Sequence, residues 1–69
     1  MRVKYLQLLE RRLSAEVGLA TTDLEVLLMD TVGVGDHTHI SKDVEGLVET
    51  IDSLNSKIET TKRLMQRFQ

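Results

Sequence analysis

Asp36, His37 and His39 are the residues of this chain whose types and spacing could do chemistry. They lie in the stretch DTVGVGDHTHIS (residues 30–41), which holds both histidines of the sequence. Carboxylate and imidazole groups this close together suit zinc, nickel or manganese. Three ligands on a short segment leave the coordination open, and the chain has no third histidine to close it. We therefore keep them as candidate metal ligands and as an alternative function, with no cofactor in the main prediction.

The same stretch contains the glycine pattern GVG, which raises phosphate binding as a second chemistry. Thr38 stands where a dinucleotide-binding loop has its third glycine, and no lysine follows as in a nucleoside triphosphate loop. Three neighbouring aspartates would also repel phosphate. Gly33 and Gly35 are instead typical of a turn after a helix, and Ser41 is typical of a helix N-cap. The stretch is predicted to be a turn between two helices.

The length and composition of the chain limit its class. Sixty-nine residues, 41% of them hydrophobic and 29% charged, predict one small folded domain. The sequence has no cysteine, which excludes disulfides and thiolate chemistry. Domains of this size without cross-links usually need self-association for stability. No apolar run approaches the length of about 20 residues that spans a bilayer, and no signal peptide is recognisable. We therefore expect no membrane contact and a cytoplasmic location.

The C-terminal half carries the clearest structural pattern. Apolar or small residues recur there in alternating steps of four and three, which is the heptad spacing of a helix that packs along its whole length. The pattern predicts a helix over about residues 42–68. We name its packed face the C-terminal seam, and its members are Ile40, Val44, Leu47, Ile51, Leu54, Ile58, Thr61, Met65 and Phe68.

The N-terminal half is predicted to be helical as well, in two pieces. Gly18 suits the C-terminus of one helix, and Thr22 followed by Glu25 suits the capping box of the next. These signals predict helices over about residues 2–17 and 23–32.

The alternative to a bend or break near residues 18–22 is one continuous helix. In both cases a polar, glycine-rich loop over residues 33–41 leads to the C-terminal helix. The continuous helix is supported by an eleven-residue apolar repeat. The repeat consists of Leu6, Leu9, Leu13, Val17, Ala20, Leu24 and Leu28.

The predicted fold class is all-α, as an antiparallel helical hairpin. Two helical arms of similar length joined by a short loop fold back on each other. The predicted contact residues are Leu6, Leu9, Leu13, Leu24, Leu28, Val44, Leu47, Ile51, Leu54, Ile58 and Met65. Further apolar residues would be exposed in a single hairpin, and a dimer that forms a helical bundle would cover them. These residues are Tyr5, Leu8, Val26, Met29, Val48 and Leu64.

The charges are unevenly distributed along the chain. Residues 1–19 carry a net charge of +2, and residues 53–69 carry +3. Residues 20–52 hold eight acidic side chains against Lys42 alone, for a net charge of −7. A hairpin would bring the two basic ends together at one end of the molecule. We name this end the basic tip, formed by Arg2, Lys4, Lys62, Arg63 and Arg67.

The charge distribution also predicts how a dimer is oriented. Two hairpins placed antiparallel would set each basic tip against an acidic loop end. A parallel coiled coil of two C-terminal helices is the rival arrangement. It would place Lys57 opposite Lys62 of the second copy, which is a repulsive pair.

The main functional prediction is a non-catalytic protein–protein interaction or assembly module, acting as a homodimer or by docking a helical protein partner. It is predicted not to be an enzyme, because no serine is paired with a base and a helical hairpin has little room for a substrate pocket. Nucleic-acid binding through the basic tip is a third hypothesis. An isoelectric point near 5.6 and a single tyrosine and phenylalanine argue against it.

The stretch DLEVLLMDTVGVGDH (residues 23–37), followed by a long amphipathic helix, resembles small uncharacterised proteins encoded by tailed phages of marine cyanobacteria. The resemblance covers about residues 22–60 and is most distinctive in DTVGVGDH (residues 30–37). It implies a phage setting, in the host cytoplasm, and it implies no activity.

Overall fold

Two long helices make up the part of the chain that the structure describes. The structure is a computed structural model, and it describes residues 2–30 and 37–69, with side chains over 3–29 and 39–69. Helix α1 spans Arg2–Asp30 and helix α2 spans His37–Phe68. Neither described range contains a strand. The all-α fold class is therefore confirmed.

Helix α1 continues through residues 18–22, so the prediction of a break there is wrong, as are separate helices over 2–17 and 23–32. The hydroxyl of Thr22 donates to the carbonyl oxygen of Gly18 at 2.9 Å. A threonine that bonds the carbonyl four residues back lies inside a helix, whereas an N-cap threonine accepts hydrogen bonds from the amides that follow it. One continuous helix, the alternative, is correct.

Helix α2 begins at His37, five residues before its predicted start. The predicted loop over residues 33–41 is therefore wrong in its last five residues, and Ser41 lies inside the helix. The rest of that loop lies outside the described residues. Nε2 of His39 lies 3.6 Å from Oδ2 of Asp43, one helical turn later. Side-chain pairs at this spacing favour a helix by about 0.2–0.5 kcal/mol, which agrees with the helical placement of residues whose types suggest a turn.

The C-terminal seam is the least exposed face of α2. Leu54 and Thr61 are buried. The hydroxyl of Thr61 donates to the carbonyl oxygen of Lys57 at 2.7 Å, so the polar group in the seam has a partner. Phe68 is the exception, since it is 45% exposed at the last residue of the helix. The half-buried members are Ile40, Val44, Leu47, Ile51, Ile58 and Met65.

The packed face of α1 repeats every seven residues and not every eleven. Leu27 is half-buried whereas Leu28 is 51% exposed, so the placement of Leu28 in the contact is wrong. Two helices that stay in contact over many turns need the same spacing, and the spacing of α2 is seven. Leu13 and Ala20 are buried. We name this face the N-terminal seam, formed by Val3, Leu6, Glu10, Leu13, Val17, Ala20, Leu24 and Leu27, with Leu9 and Thr21 half-buried beside it.

The two helices lie side by side in a hairpin-like arrangement that measures 53 × 15 × 11 Å. Residues 9–16 of α1 line a groove together with residues 56–61 of α2. Residues 16–23 line a second groove with residues 47–54. Among the described residues no large side chain is fully buried, so the core is thin. Neither helix is both long and apolar enough to cross a membrane.

Gly46→Ala is expected to stabilise the protein. A Cβ atom added at Gly46 meets nothing within 4 Å, so alanine fits without rearrangement. A glycine inside a helix costs about 0.5–1 kcal/mol relative to alanine. Urea unfolding followed by circular dichroism should show the free energy of unfolding raised by about that amount. A loss of stability would contradict a regular helix at this position.

Candidate functional site

A second apolar stripe runs along α1 on the side away from the N-terminal seam. Its residues follow alternating steps of three and four, so it also repeats every seven residues. At about 100° per residue it lies about 160° around the helix from the seam. Tyr5, Leu19 and Met29 are the most exposed of its large apolar members, at 79%, 68% and 75%. We name it the outer stripe, formed by Tyr5, Leu8, Arg12, Ala15, Leu19, Thr22, Val26 and Met29.

The outward face of α2 has no such stripe. Its positions opposite the C-terminal seam are all exposed, and none of them is apolar. Val48 and Leu64, which are also exposed, lie beside the seam and not opposite it. The outward residues of α2 are Lys42, Glu45, Gly46, Glu49, Asp52, Ser53, Ser56, Glu59, Thr60, Arg63, Gln66 and Arg67. Helix α1 therefore presents apolar residues on two sides, and helix α2 on one.

The charges on α1 change sign near its middle. Over the described side chains, residues 3–15 carry three basic groups against Glu10, and residues 16–29 carry three acidic groups and no basic one. The basic residues next to or within the outer stripe are Lys4, Arg11 and Arg12, and the acidic ones are Glu16, Asp23 and Glu25. All six are exposed. The outer stripe is thus basic at one end and acidic at the other.

Two shallow grooves lie between the helices. The first, of about 450 Å³, is lined by Leu9, Arg12, Leu13, Glu16, Ser56, Lys57, Thr60 and Thr61. Its lining includes a serine hydroxyl and no histidine. The second, of about 370 Å³, is lined by Glu16, Leu19, Ala20, Asp23, Leu47, Thr50 and Leu54. The lining of the second groove contains no serine.

The candidate metal ligands are only partly within the described residues. The side chains of Asp36 and His37 lie outside them. His39 is exposed and lies 3.6 Å from Asp43. Among the side chains that the structure describes, no three histidine, aspartate or glutamate groups are placed to hold a metal ion. The metal site stays a prediction.

The residues of the basic tip are exposed where their side chains are described, at Lys4, Lys62, Arg63 and Arg67. The side chain of Arg2 lies outside that range. Nucleic-acid binding through this tip stays a prediction.

Sequence reasoning found part of this surface. It identified Tyr5, Leu8, Val26 and Met29 as apolar residues that a single hairpin leaves exposed, but it missed Leu19. The signal that could have found Leu19 is the seven-residue spacing counted from Tyr5, which requires α1 to be continuous.

Glu10 is a second residue that sequence reasoning missed, because a glutamate does not stand out in an apolar repeat. Its side chain is 29% exposed at a position of the N-terminal seam, and its Oε2 lies 3.9 Å from Nζ of Lys62. An ion pair this exposed contributes about 0–1 kcal/mol. Glu10 therefore replaces an apolar contact with a weak polar one.

Glu10→Leu is expected to raise the free energy of unfolding by about 1 kcal/mol, since half-burying a leucine outweighs the loss of the ion pair. Chemical unfolding of this variant and of Glu10→Gln, which removes the charge but keeps the shape, would measure both effects. The glutamine variant should change stability by less than about 1 kcal/mol. A larger loss in both variants would show that the ion pair with Lys62 dominates at this position.

Comparison of the chain with protein-family models, with curated proteins and with solved structures gave no match. The resemblance to phage proteins stays a prediction.

Proposed function

We propose that the protein is a non-catalytic interaction module, an antiparallel helical hairpin that pairs with a second copy to form a helical bundle. The outer stripe of α1 is the observation that carries this proposal. It leaves five large apolar side chains in water along one face of a helix: Tyr5, Leu8, Leu19, Val26 and Met29. Burying such surface is favourable by about 25 cal/mol per Å², and continuous apolar patches usually mark contact sites.

The antiparallel arrangement is supported by contacts between the helices. Glu10, near the start of α1, lies 3.9 Å from Lys62, near the end of α2. Residues 9–16 of α1 face residues 56–61 of α2. The next part of α1, residues 16–23, faces residues 47–54 of α2. Sequence numbers thus rise along one helix as they fall along the other.

The thin core supports self-association. Only Leu13, Ala20, Leu54 and Thr61 are buried among the described residues, and one of these is an alanine and another a threonine. Small domains without disulfides or metals gain too little from such a core to be stable alone. A second copy would add buried apolar area without lengthening the chain.

The exposure of the polar side chains in the grooves between the helices supports a non-catalytic role. The larger groove combines Arg12, Glu16, Ser56 and Lys57, which are exposed side chains of mixed charge. Catalytic groups generally depend on burial or close charge partners to shift their acidity. An exposed, mixed set of this kind is typical of a solvated surface.

Light scattering coupled to size exclusion, over a wide range of concentrations, tests the proposal. We expect a mass of twice the 7.8 kDa of the chain. Dissociation on dilution should be accompanied by loss of helical signal, since the core of one copy is thin. A folded protein of 7.8 kDa at every concentration would overturn the proposed self-association.

Ile51→Asp is expected to unfold the protein or reduce its stability by about 3 kcal/mol or more, because the seam would bury an unpaired charge. Ile51 is half-buried in the C-terminal seam. Ser53→Asp, which adds the same charge on the outward face of α2, is the matched control and should change stability by less than about 0.5 kcal/mol. Circular dichroism and thermal unfolding of both variants would measure the difference. Equal melting temperatures would contradict the seam.

A further inference from the structure

We infer that the outer stripe of α1 packs against the outer stripe of a second copy, with the two α1 helices antiparallel and each α2 on the outside of the pair. This inference rests on the self-association proposed above and specifies which surface forms it. The resulting order of helices is α2, α1, α1 and α2. Self-association through any other face would leave the outer stripe in water.

The spacing of the outer stripe is symmetric about a point between Ala15 and Leu19. When two such stripes are placed antiparallel about that point, every member meets another member and none is left over. The alanine near the centre allows the two helices to approach closely, at about 8–10 Å between axes. The facing pairs are Tyr5 with Met29, Leu8 with Val26, Arg12 with Thr22, and Ala15 with Leu19.

The two polar members of the stripe are compatible with this pairing. The hydroxyl of Thr22 is already bonded to the carbonyl oxygen of Gly18 at 2.9 Å, so its methyl group can pack without leaving a polar atom unsatisfied. Arg12 can bury its aliphatic stem and keep its guanidinium at the edge. In this pairing the polar side chain of Arg12 faces the polar side chain of Thr22 of the second copy. A shift of register would place Arg12 against apolar side chains instead. Such polar layers fix the register of paired helices.

The charges on α1 favour the antiparallel orientation. Its first half carries a net charge of +2 over residues 3–15, from three basic groups and Glu10, and its second half carries −3 over residues 16–29. Antiparallel pairing sets each basic half against an acidic half, and it brings Arg11 near Glu25 of the second copy. Parallel pairing would set the basic half against the basic half and the acidic half against the acidic half.

The same charges argue against a lipid surface as the occupant of the stripe. Helices that lie on membranes carry lysine and arginine along their polar face, which anionic lipids attract. Here the acidic second half, with Glu16, Asp23 and Glu25 exposed beside the stripe, would be repelled. A second copy of the chain, placed antiparallel, offers the opposite charge to each half of α1.

Distances between spin labels test the arrangement, and the absence of cysteine from the sequence makes single-cysteine variants simple to label. Lys4→Cys labels one end of α1, and Gly18→Cys labels its middle, where a side chain meets nothing within 4 Å. In the antiparallel pair, Lys4 lies opposite residue 30 of the second copy. At 1.5 Å per residue the two labels at position 4 should be about 40 Å apart, and those at position 18 less than about 20 Å apart.

A third variant, Ser53→Cys, tests whether the two copies contact each other through α2 instead of α1. It labels the outward face of α2, and with two α1 helices between the labels the distance should be about 30 Å or more. A short distance at position 53 would overturn the inference in favour of contact through α2. Short distances at positions 4 and 18 together would overturn it in favour of parallel pairing. Either result would still agree with the proposed dimer, whereas a folded wild-type monomer would contradict both the dimer and the arrangement of its helices.

Leu19→Asp gives an independent test. Leu19 is 68% exposed in the single hairpin, so the substitution should leave the contact between α1 and α2 unchanged while it places a charge at the centre of the pair. The dissociation constant of the dimer should rise at least about 100-fold, with no change for Ser53→Asp. An unchanged dissociation constant would overturn the inference. A wild-type monomer that binds vesicles of phosphatidylserine and phosphatidylcholine, and loses that binding in Leu19→Asp, would overturn it in favour of a membrane surface.

Discussion

The match in seven-residue spacing between α1 and α2 is the constraint on which the rest of the structure depends. Two helices without further cover can bury side chains only along the single line where they meet. A residue that departs from the seven-residue spacing therefore loses its contact with the other helix, and no further layer of helices replaces that contact. Leu13 and Leu54 are the two large apolar side chains that are buried among the described residues, while Thr61 is tolerated in the seam because its hydroxyl bonds the carbonyl of Lys57 within the same helix.

The two helices differ in what they do with their remaining surface. Helix α2 turns a wholly polar face to water on the side opposite the C-terminal seam. Helix α1 has apolar residues on two nearly opposite sides, and α2 covers only one of them. The sequence of α1 therefore looks less regular than that of α2, because it contains two apolar repeats, the N-terminal seam and the outer stripe. Neither repeat is clear when all apolar residues are assigned to a single face.

The sequence predicts α2 well because a single strong repeat identifies both its helix and its packed face. It predicts α1 less well. The signals at Gly18 and Thr22 are local, whereas α1 packs on α2 through this region, where Ala20 is buried. The position of Leu28 was misjudged because repeats of seven and of eleven residues differ by one residue after a few turns, which moves a side chain by about 100°. The outer stripe is visible only once α1 is known to be unbroken.

The polar outward face of α2 has a consequence for the size of any assembly. A protein with apolar residues exposed on two sides can bind a further copy on each side. Repeated heterologous contacts of this kind build fibres. In the pair proposed above, one side of α1 is covered by the chain's own α2, and its outer stripe is covered by the same stripe of the second copy. Charged residues on α2, such as Glu49, Asp52 and Arg63, would then form both outer surfaces of that pair, and we expect it to stay a closed dimer.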